Sequence, residues 1–98
     1  MSYNLDLTDL AEATLGLLVE TRFPQADQNT AYDIIDQHLV ELADNPIQRL
    51  VRGPHGRPTA IGSVEVGGTL VLWGVTLYFG QDERTLVLTK FFELRQVS

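Results

Sequence analysis

Basic side chains that could bind an anion gather in one short segment, Ile47–Pro58. This segment holds Arg49, Arg52 and Arg57, three of the seven lysine and arginine residues of the chain, and it also holds His55. Its second half is dense in glycine and proline, which predicts a loop. Such a loop can present arginine and histidine side chains on an exposed surface. Its glycines lack the spacing of a phosphate-binding loop, so solvated surface charges are the simpler alternative.

Lys90 is a further candidate because it interrupts an apolar strand face. In the alternating pattern described below, Lys90 takes a position where an apolar residue is expected, opposite Trp73. The lysine stem can lie on the indole ring with its ammonium group in water at the rim of the sheet. The alternative is a functional cation held on a concave sheet face, with Trp73 beside it as a binding residue.

The charge balance limits the classes of partner. The 98-residue chain carries a net charge of −6, which argues against a simple nucleic-acid binder. Residues 1–44 hold nine acids and one base, and residues 45–98 hold four acids and six bases, giving −8 and +2. We interpret the acids as solvated helix faces. For the arginines of the second half, a functional role stays open.

Composition argues against several other classes of protein. The chain has no cysteine, so neither a disulfide framework nor a Cys-based zinc site is expected. His38 and His55 are far apart and lack an H-E-x-x-H pattern, so we predict no metal and no cofactor. No secretory signal and no run of ~20 apolar residues is visible. We therefore expect one cytoplasmic domain that spans residues 1–98 and does not bind a membrane.

The stretch Ser63–Leu94 predicts three antiparallel strands around which the rest of the chain is organised. Gly67-Gly68 is a two-residue hairpin signal. Thr69–Phe79 then alternates apolar and polar residues, Gly80–Glu83 forms a polar turn, and Arg84–Leu94 returns. The residues expected on the core face are Val71, Trp73, Val75, Leu77 and Phe79 of the middle strand, with Leu86, Leu88, Phe92 and Leu94 of the last.

The loop lengths then predict the strand register. A two-residue loop at Gly67-Gly68 pairs Val66 with Thr69 and therefore places Val64 opposite Val71. A turn centred on Gln81-Asp82 pairs Phe79 with Arg84. The pairs that follow from this turn are Leu77–Leu86, Val75–Leu88, Trp73–Lys90 and Val71–Phe92.

A short strand and two amphipathic helices are predicted before the meander. The strand is Tyr3–Leu7, and Thr8 or Asp9 caps a first helix, which should end before Phe23-Pro24. A polar link, Gln25–Asn29, follows. The second helix begins after Thr30, carries His38 packed along its apolar stripe, and is stopped by Asn45-Pro46. The stripe is formed by Ala31, Ile34, Ile35, His38, Leu39 and Leu42.

The predicted fold is a two-layer α+β domain in the order β-α-α-β-β-β. Each helix has one apolar stripe and the antiparallel sheet has one strongly apolar face, so both helices are expected to pack across that face. Local pattern does not show whether the first strand joins the edge of the sheet.

In this order of elements the chain resembles the RelE/ParE superfamily of toxins from toxin–antitoxin systems. The resemblance lies in the strand Tyr3–Leu7 running into Thr8–Glu12, in the end of the second helix, His38–Pro46, and in the terminal hairpin Leu70–Leu94. It implies a sheet packed on an α-hairpin. It also implies one of two activities, cutting messenger RNA in the ribosomal A site or poisoning DNA gyrase. An antitoxin protein is the implied partner.

The chain departs from the pattern of the RNA-cutting members. Those members resemble one another in a basic sheet face and in an aromatic–arginine pair before the last turn. Here the corresponding strand, Leu70–Val75, has no arginine, and the late basic and aromatic residues are reduced to Lys90, Phe91, Phe92 and Arg95. The fold is therefore expected to carry over, with nuclease activity either retained or degenerate.

If the protein is active, the resemblance implies a ribosome-dependent mRNA endoribonuclease. Attack by the 2′-OH of RNA needs a base, a cation for the phosphorane and an acid for the leaving oxygen. Arg57 and Arg84 are candidates to hold phosphate, and His55 or Lys90 is a candidate base. The candidate catalytic residues are thus Arg57, Arg84 and Lys90. The candidate binding residues are Arg49, Arg52, His55, Trp73 and Arg95.

The alternative is a non-enzymatic module that binds a protein through its sheet edge or acidic helices, or a small homo-oligomer such as a homodimer. This alternative predicts that expression is harmless and that the surface carries an exposed apolar patch. A toxin instead predicts that expression harms cells and that a partner protein rescues them.

Overall fold

Five strands and three α-helices form the chain in a computed structural model that describes residues 2–94. This arrangement confirms the predicted α+β class. A short 3-10 turn, Pro54–Gly56, lies in the stretch that contains the predicted loop. The elements are β1 (Asn4–Leu7), α1 (Asp9–Arg22), α2 (Gln25–Asp44), α3 (Pro46–Arg49), β2 (Leu50–Arg52), β3 (Pro58–Val66), β4 (Thr69–Phe79) and β5 (Thr85–Glu93).

The five strands form one mixed sheet in the order β1-β5-β4-β3-β2. Strand β1 runs parallel to β5, and the other neighbouring pairs are antiparallel. The three strands of the predicted meander are antiparallel as expected, and the first strand, whose pairing was left open, makes the sheet mixed because it joins β5 in parallel. The count of two helices and four strands was wrong, since α3 begins at Pro46 and β2 follows it within the segment Ile47–Pro58. Among residues 2–94, no helix has the length and apolar character needed to cross a membrane.

Helix α1 begins and ends where the sequence predicts. The Thr8 hydroxyl accepts a hydrogen bond from the Ala11 amide at 3.1 Å, which satisfies one of the unpaired amides at the helix start. Phe23 is extended (φ −123°, ψ 141°), as expected for a residue that precedes proline.

Helix α2 begins at Gln25, so the predicted link Gln25–Asn29 and the cap at Thr30 were wrong. Pro24 takes the N-cap position, where its missing amide costs no hydrogen bond. The Gln28 side-chain amide donates to the carbonyl oxygen of Phe23 at 3.2 Å and closes the connection between the helices. The polar residues of the expected link thus form the exposed first turns of the helix.

Helices α1 and α2 cover one face of the sheet, and most of the residues predicted for that face are buried there. Two were placed wrongly: Phe79 is 39% exposed, and Phe92 pairs with Gly74 on the opposite face because the register of β5 shifts before it.

Trp73 is only 1% exposed and packs edge-on against His38, with a centroid distance of 5.8 Å. The Phe91 ring also packs against the Trp73 ring, with the same centroid distance of 5.8 Å. His38 is therefore a packed residue, as predicted. Trp73 belongs to the core, which corrects its assignment as a binding residue, because a side chain enclosed by both layers cannot reach a ligand.

The first hairpin has the predicted register and the second does not. Val66 pairs with Thr69 across Gly67-Gly68, whose φ angles of 60° and 83° are those of a two-residue hairpin turn. In the second hairpin, the Gly80 amide donates to the carbonyl oxygen of Thr85 at 2.7 Å. The connecting loop therefore has four residues rather than two.

This longer loop shifts the whole β4–β5 pairing. Phe79 pairs with Leu86 rather than with Arg84, and Leu77 pairs with Leu88. The loop is stabilised by Asp82, whose carboxylate accepts hydrogen bonds from the Arg84 and Thr85 amides at 3.0 and 3.1 Å. An aspartate side chain that accepts hydrogen bonds from nearby backbone amides stabilises a turn locally. The alternation of apolar and polar residues in the strands does not indicate such a bond.

A β-bulge at Thr89 shifts the register a second time. Leu77 pairs with Leu88 and Thr76 pairs with Lys90, so Thr89 is the extra residue in β5. The bulge places Phe91 in the core and leaves Lys90 exposed on the other face. Trp73 consequently pairs with Glu93 rather than with Lys90. The bulge therefore explains why Lys90 stands in the sequence at a position where strand alternation predicts an apolar residue.

Asp82 makes the stability of the β4–β5 loop dependent on pH. The hydrogen bond from the Arg84 amide, followed by that from the Thr85 hydroxyl, lowers the pKa of the Asp82 carboxyl below its ordinary value. A depressed folded-state pKa gives stability that is present above the unfolded-state pKa and is lost as pH falls through the folded-state pKa.

We therefore expect Asp82→Asn to be less stable than the wild type at about pH 7, by a difference that is smaller at about pH 3. Urea unfolding followed by circular dichroism at the two pH values measures this gap. A gap of the same size at both values would contradict the role assigned to the carboxylate.

Candidate anion-binding site

Three threonines cross the sheet in a row on its outer face, the face that the helices leave open. Thr59 of β3 pairs with Thr76 of β4, which pairs with Lys90 beside the bulged Thr89 of β5. The Thr89 hydroxyl donates to the Thr76 carbonyl oxygen at 3.0 Å, and the two hydroxyl oxygens are 2.6 Å apart. These bonds hold the bulge in place and thereby position Lys90.

The loop between β2 and β3 folds over one end of this row. The Gly53 amide donates to the Arg57 carbonyl oxygen at 2.9 Å, which closes the loop. Gly53 lies so close to Thr59 that a Cβ atom on it would be 1.8 Å from the threonine Oγ1. His55 sits at the tip with φ 58° and ψ 22°, a left-handed conformation that is uncommon outside glycine. The loop holds His55 and Arg57 above the sheet.

The loop and the row of threonines enclose a cleft of about 340 Å³, which we call the cationic cleft. It brings together His55, Arg57 and Lys90, which come from two segments more than thirty residues apart in sequence. None of the side chains that line it is acidic. The complete lining is Leu10, Pro54, His55, Arg57, Thr76, Thr89, Lys90 and Phe92.

The cations of the cleft are not neutralised by neighbours in the described part of the chain. The two ion pairs formed among residues 2–94 are Arg22–Glu93 at 3.3 Å and Arg49–Glu41 at 3.5 Å, so neither involves Arg57 or Lys90. A guanidinium and an ammonium group with hydroxyls between them suit a phosphate or carboxylate ligand. Since the threonine hydroxyls already hold the bulge, we assign them no nucleophilic role.

The remaining predicted site residues lie elsewhere. Arg84 lines a separate cavity of about 330 Å³ with Ser2, Tyr3, Asp82 and Glu83 at the β4–β5 loop. That cavity contains two carboxylates, so it is a poor site for an anion.

The other predicted binding residues that fall within residues 2–94 do not line the cationic cleft. Arg49 pairs with Glu41 on α2, and Arg52 is exposed on the short edge strand β2. Arg95 lies outside the described residues, and Trp73 is in the core.

Sequence reasoning missed Thr76, Thr89 and Phe92 as parts of the site. Threonines on adjacent strands carry no signal until the register is known, and the register depends on the bulge. The signal that was present is the polar pair Thr89-Lys90 inside an otherwise apolar strand.

Other kinds of site are not indicated. Among residues 2–94, no three His, Asp or Glu side chains are placed together to bind a metal ion. Comparison with known proteins finds no matching family model, no matching curated protein and no matching solved structure. The resemblance to RelE/ParE toxins therefore stays a prediction.

Proposed function

We propose that this protein is a RelE/ParE-like toxin that binds the phosphate backbone of RNA in the cationic cleft. The observation that supports this proposal is the convergence of His55, Arg57 and Lys90 on one cleft of the outer sheet face. All three were expected from sequence to take part in binding or catalysis. Phosphate recognition needs cations brought close together, and the closed loop and the bulge hold the backbone at Arg57 and Lys90 so that both side chains line the same cleft.

The uneven distribution of charged residues supports RNA binding although the net charge of the chain is −6. Eight of the nine acids in residues 1–44 lie in α1 and α2, which cover the opposite face of the sheet, and the ninth, Asp6, lies on the edge strand β1. Local potential at a binding surface, rather than net charge, decides whether an anion approaches it. The acidic helices would repel RNA and leave the outer face as the side from which it docks.

The cleft also offers groups for RNA cleavage. Arg57 stays charged and would stabilise the phosphorane, while His55 and Lys90 are the two cleft groups that can exchange protons. In this reaction the 2′-oxygen bonds to the adjacent phosphorus as its proton passes to the base. The bond to the 5′-oxygen then breaks, and that oxygen takes a proton. Arg84 has no part in this arrangement because it lies in a different cavity.

Controlled expression in a bacterial host tests the proposal. We expect wild-type protein to arrest growth, and Arg57→Gln combined with Lys90→Gln to relieve the arrest. Arg52→Gln is the matched control, because it removes an exposed arginine outside the cleft. Cut transcripts during arrest would identify a nuclease, and intact transcripts a toxin that binds without cutting. Normal growth with abundant wild-type protein would refute the toxin assignment.

A second candidate, a protein-interaction module, is favoured by exposed apolar residues on the same sheet face. Ile61, Leu70 and Tyr78 are 52, 47 and 52% exposed. In addition, β2 pairs only with Pro58–Ala60, so the rest of β3 forms an open sheet edge among the described residues. On this candidate, growth would be normal and the protein would form a homodimer or bind a partner protein.

A further inference from the structure

An apolar trough adjoins the cationic cleft. It lies between α1 and the end of β5, has a volume of about 440 Å³, and is lined mainly by apolar atoms of Leu17, Leu18, Phe91 and Phe92. Arg22 and Glu93, which also line it, form an ion pair with each other at 3.3 Å. Leu17 is 66% exposed. The trough is formed because β1 pairs with β5 only as far as Leu88, and α1 crosses beside the remainder of the strand.

Hydrogen bonds join α1 to β5 along the wall of the trough. The Phe91 amide, which β1 leaves unpaired, donates to the Thr14 hydroxyl at 2.8 Å. That hydroxyl donates in turn to the Leu10 carbonyl oxygen at 2.7 Å. A peptide strand therefore cannot pair with β5 at this position without breaking these bonds. A flat group that inserts between the side chains meets no such obstacle.

Phe92 joins the trough to the cleft. It lines both cavities, as does Lys90. The Phe92 ring rests on Gly74 of β4, where a Cβ atom would lie 2.7 Å from its Cζ. The absence of a side chain at Gly74 thus lets the ring lie close to the sheet. An aromatic ring in a fixed position beside two cations is the combination with which proteins hold single-stranded nucleic acid.

We infer that the trough is a nucleobase subsite and that the ligand of the cleft is single-stranded RNA. A base next to the phosphate held by Arg57 and Lys90 would stack on Phe92 and fill the trough beside Leu17. A duplex is excluded from this arrangement because its bases are already stacked and paired. The inference rests on the proposed function, since it requires the cleft to bind RNA phosphate.

Binding of three fluorescein-labelled RNA probes, followed by fluorescence anisotropy, tests the inference. The probes are a short single strand, an abasic strand of the same length and a duplex. For the wild type we expect the single strand to bind about tenfold more tightly than either other probe, because one base–aromatic contact contributes about 1–3 kcal/mol. Phe92→Leu should abolish this preference, since it keeps apolar contact with Gly74 but removes the ring.

Tyr78→Leu is the matched control. It removes an aromatic ring that is 52% exposed on the same sheet face but lines neither cavity, and we expect it to bind like the wild type. Equal binding of abasic and base-bearing strands by the wild type, or an unchanged preference in Phe92→Leu, would overturn the subsite and leave the cleft assignment standing. Failure of the wild type to bind any probe would overturn both.

Discussion

Replacing Trp73 with alanine is expected to lower the free energy of unfolding by about 3–5 kcal/mol. Trp73 is 1% exposed and contacts His38 of α2 and Phe91 of β5, so the substitution leaves a cavity where both layers meet. Urea unfolding measures the change. Because Trp73 is the single tryptophan of the chain, the transition should be followed by circular dichroism rather than by intrinsic tryptophan fluorescence.

Two further variants make this prediction specific. Within residues 2–94, the buried Trp73 Nε1 has no hydrogen-bond partner. Trp73→Phe removes that polar atom and keeps most of the ring, so it should cost much less than the alanine substitution. Tyr78→Ala removes an aromatic ring that is half exposed and should also cost much less. A loss in Trp73→Ala no larger than in Tyr78→Ala would show that the assigned core face is wrong.

The double variant Arg57→Gln, Lys90→Gln is expected to bind single-stranded RNA about 100- to 10,000-fold more weakly than the wild type. Each substitution removes one charge-assisted contact to phosphate, and such contacts contribute about 1.5–3 kcal/mol each. Removing two phosphate contacts should also reduce the slope of log K against log salt concentration by about 1.4, since each contact on a single strand contributes about 0.7.

Arg52→Gln again provides the control, because it changes net charge by the same amount per substitution without touching the cleft. It should shift affinity slightly at low salt and leave the salt slope nearly unchanged. If Arg52→Gln weakened binding as much per charge as the cleft substitutions, RNA would be responding to overall charge rather than to the cleft.

Hydrophobic periodicity predicted most of the core, but it placed Phe92 on the core face where Phe91 is buried instead. The stripes of both helices and the alternating face of β4 are local signals, and Trp73, Val75 and Leu77 are buried as that pattern indicates. The ends of α1 were also predictable, because the Thr8 hydroxyl caps the first turn and Pro24 keeps Phe23 extended, and both effects are local.

The β4–β5 register was not predictable from alternation. The register depends on the Asp82 carboxylate, which closes a four-residue loop, and on the extra residue Thr89 in β5. Neither feature changes the number of apolar residues in the strands. The parallel pairing of β1 with β5 joins segments about eighty residues apart, and no local pattern specifies such a partner.

The candidate site was predictable in part. His55, Arg57 and Lys90 were identified by residue type and by their place in a loop or an interrupted strand. Their convergence depends on contact between Gly53 and Thr59, which folds the loop over the sheet. Trp73 was grouped with them because a regular strand register placed it opposite Lys90, and Arg84 was grouped with them because an arginine can hold phosphate.

The most direct test of the cationic cleft is a nitrogen-15 heteronuclear NMR titration of the protein with a short single-stranded RNA. We expect chemical-shift changes concentrated at the amides of His55, Arg57, Thr76, Thr89 and Lys90, with little change along the acidic faces of α1 and α2. Shifts confined to the helices, or no shifts at RNA concentrations well above those of the protein, would contradict the assignment of this cleft as an RNA-binding site.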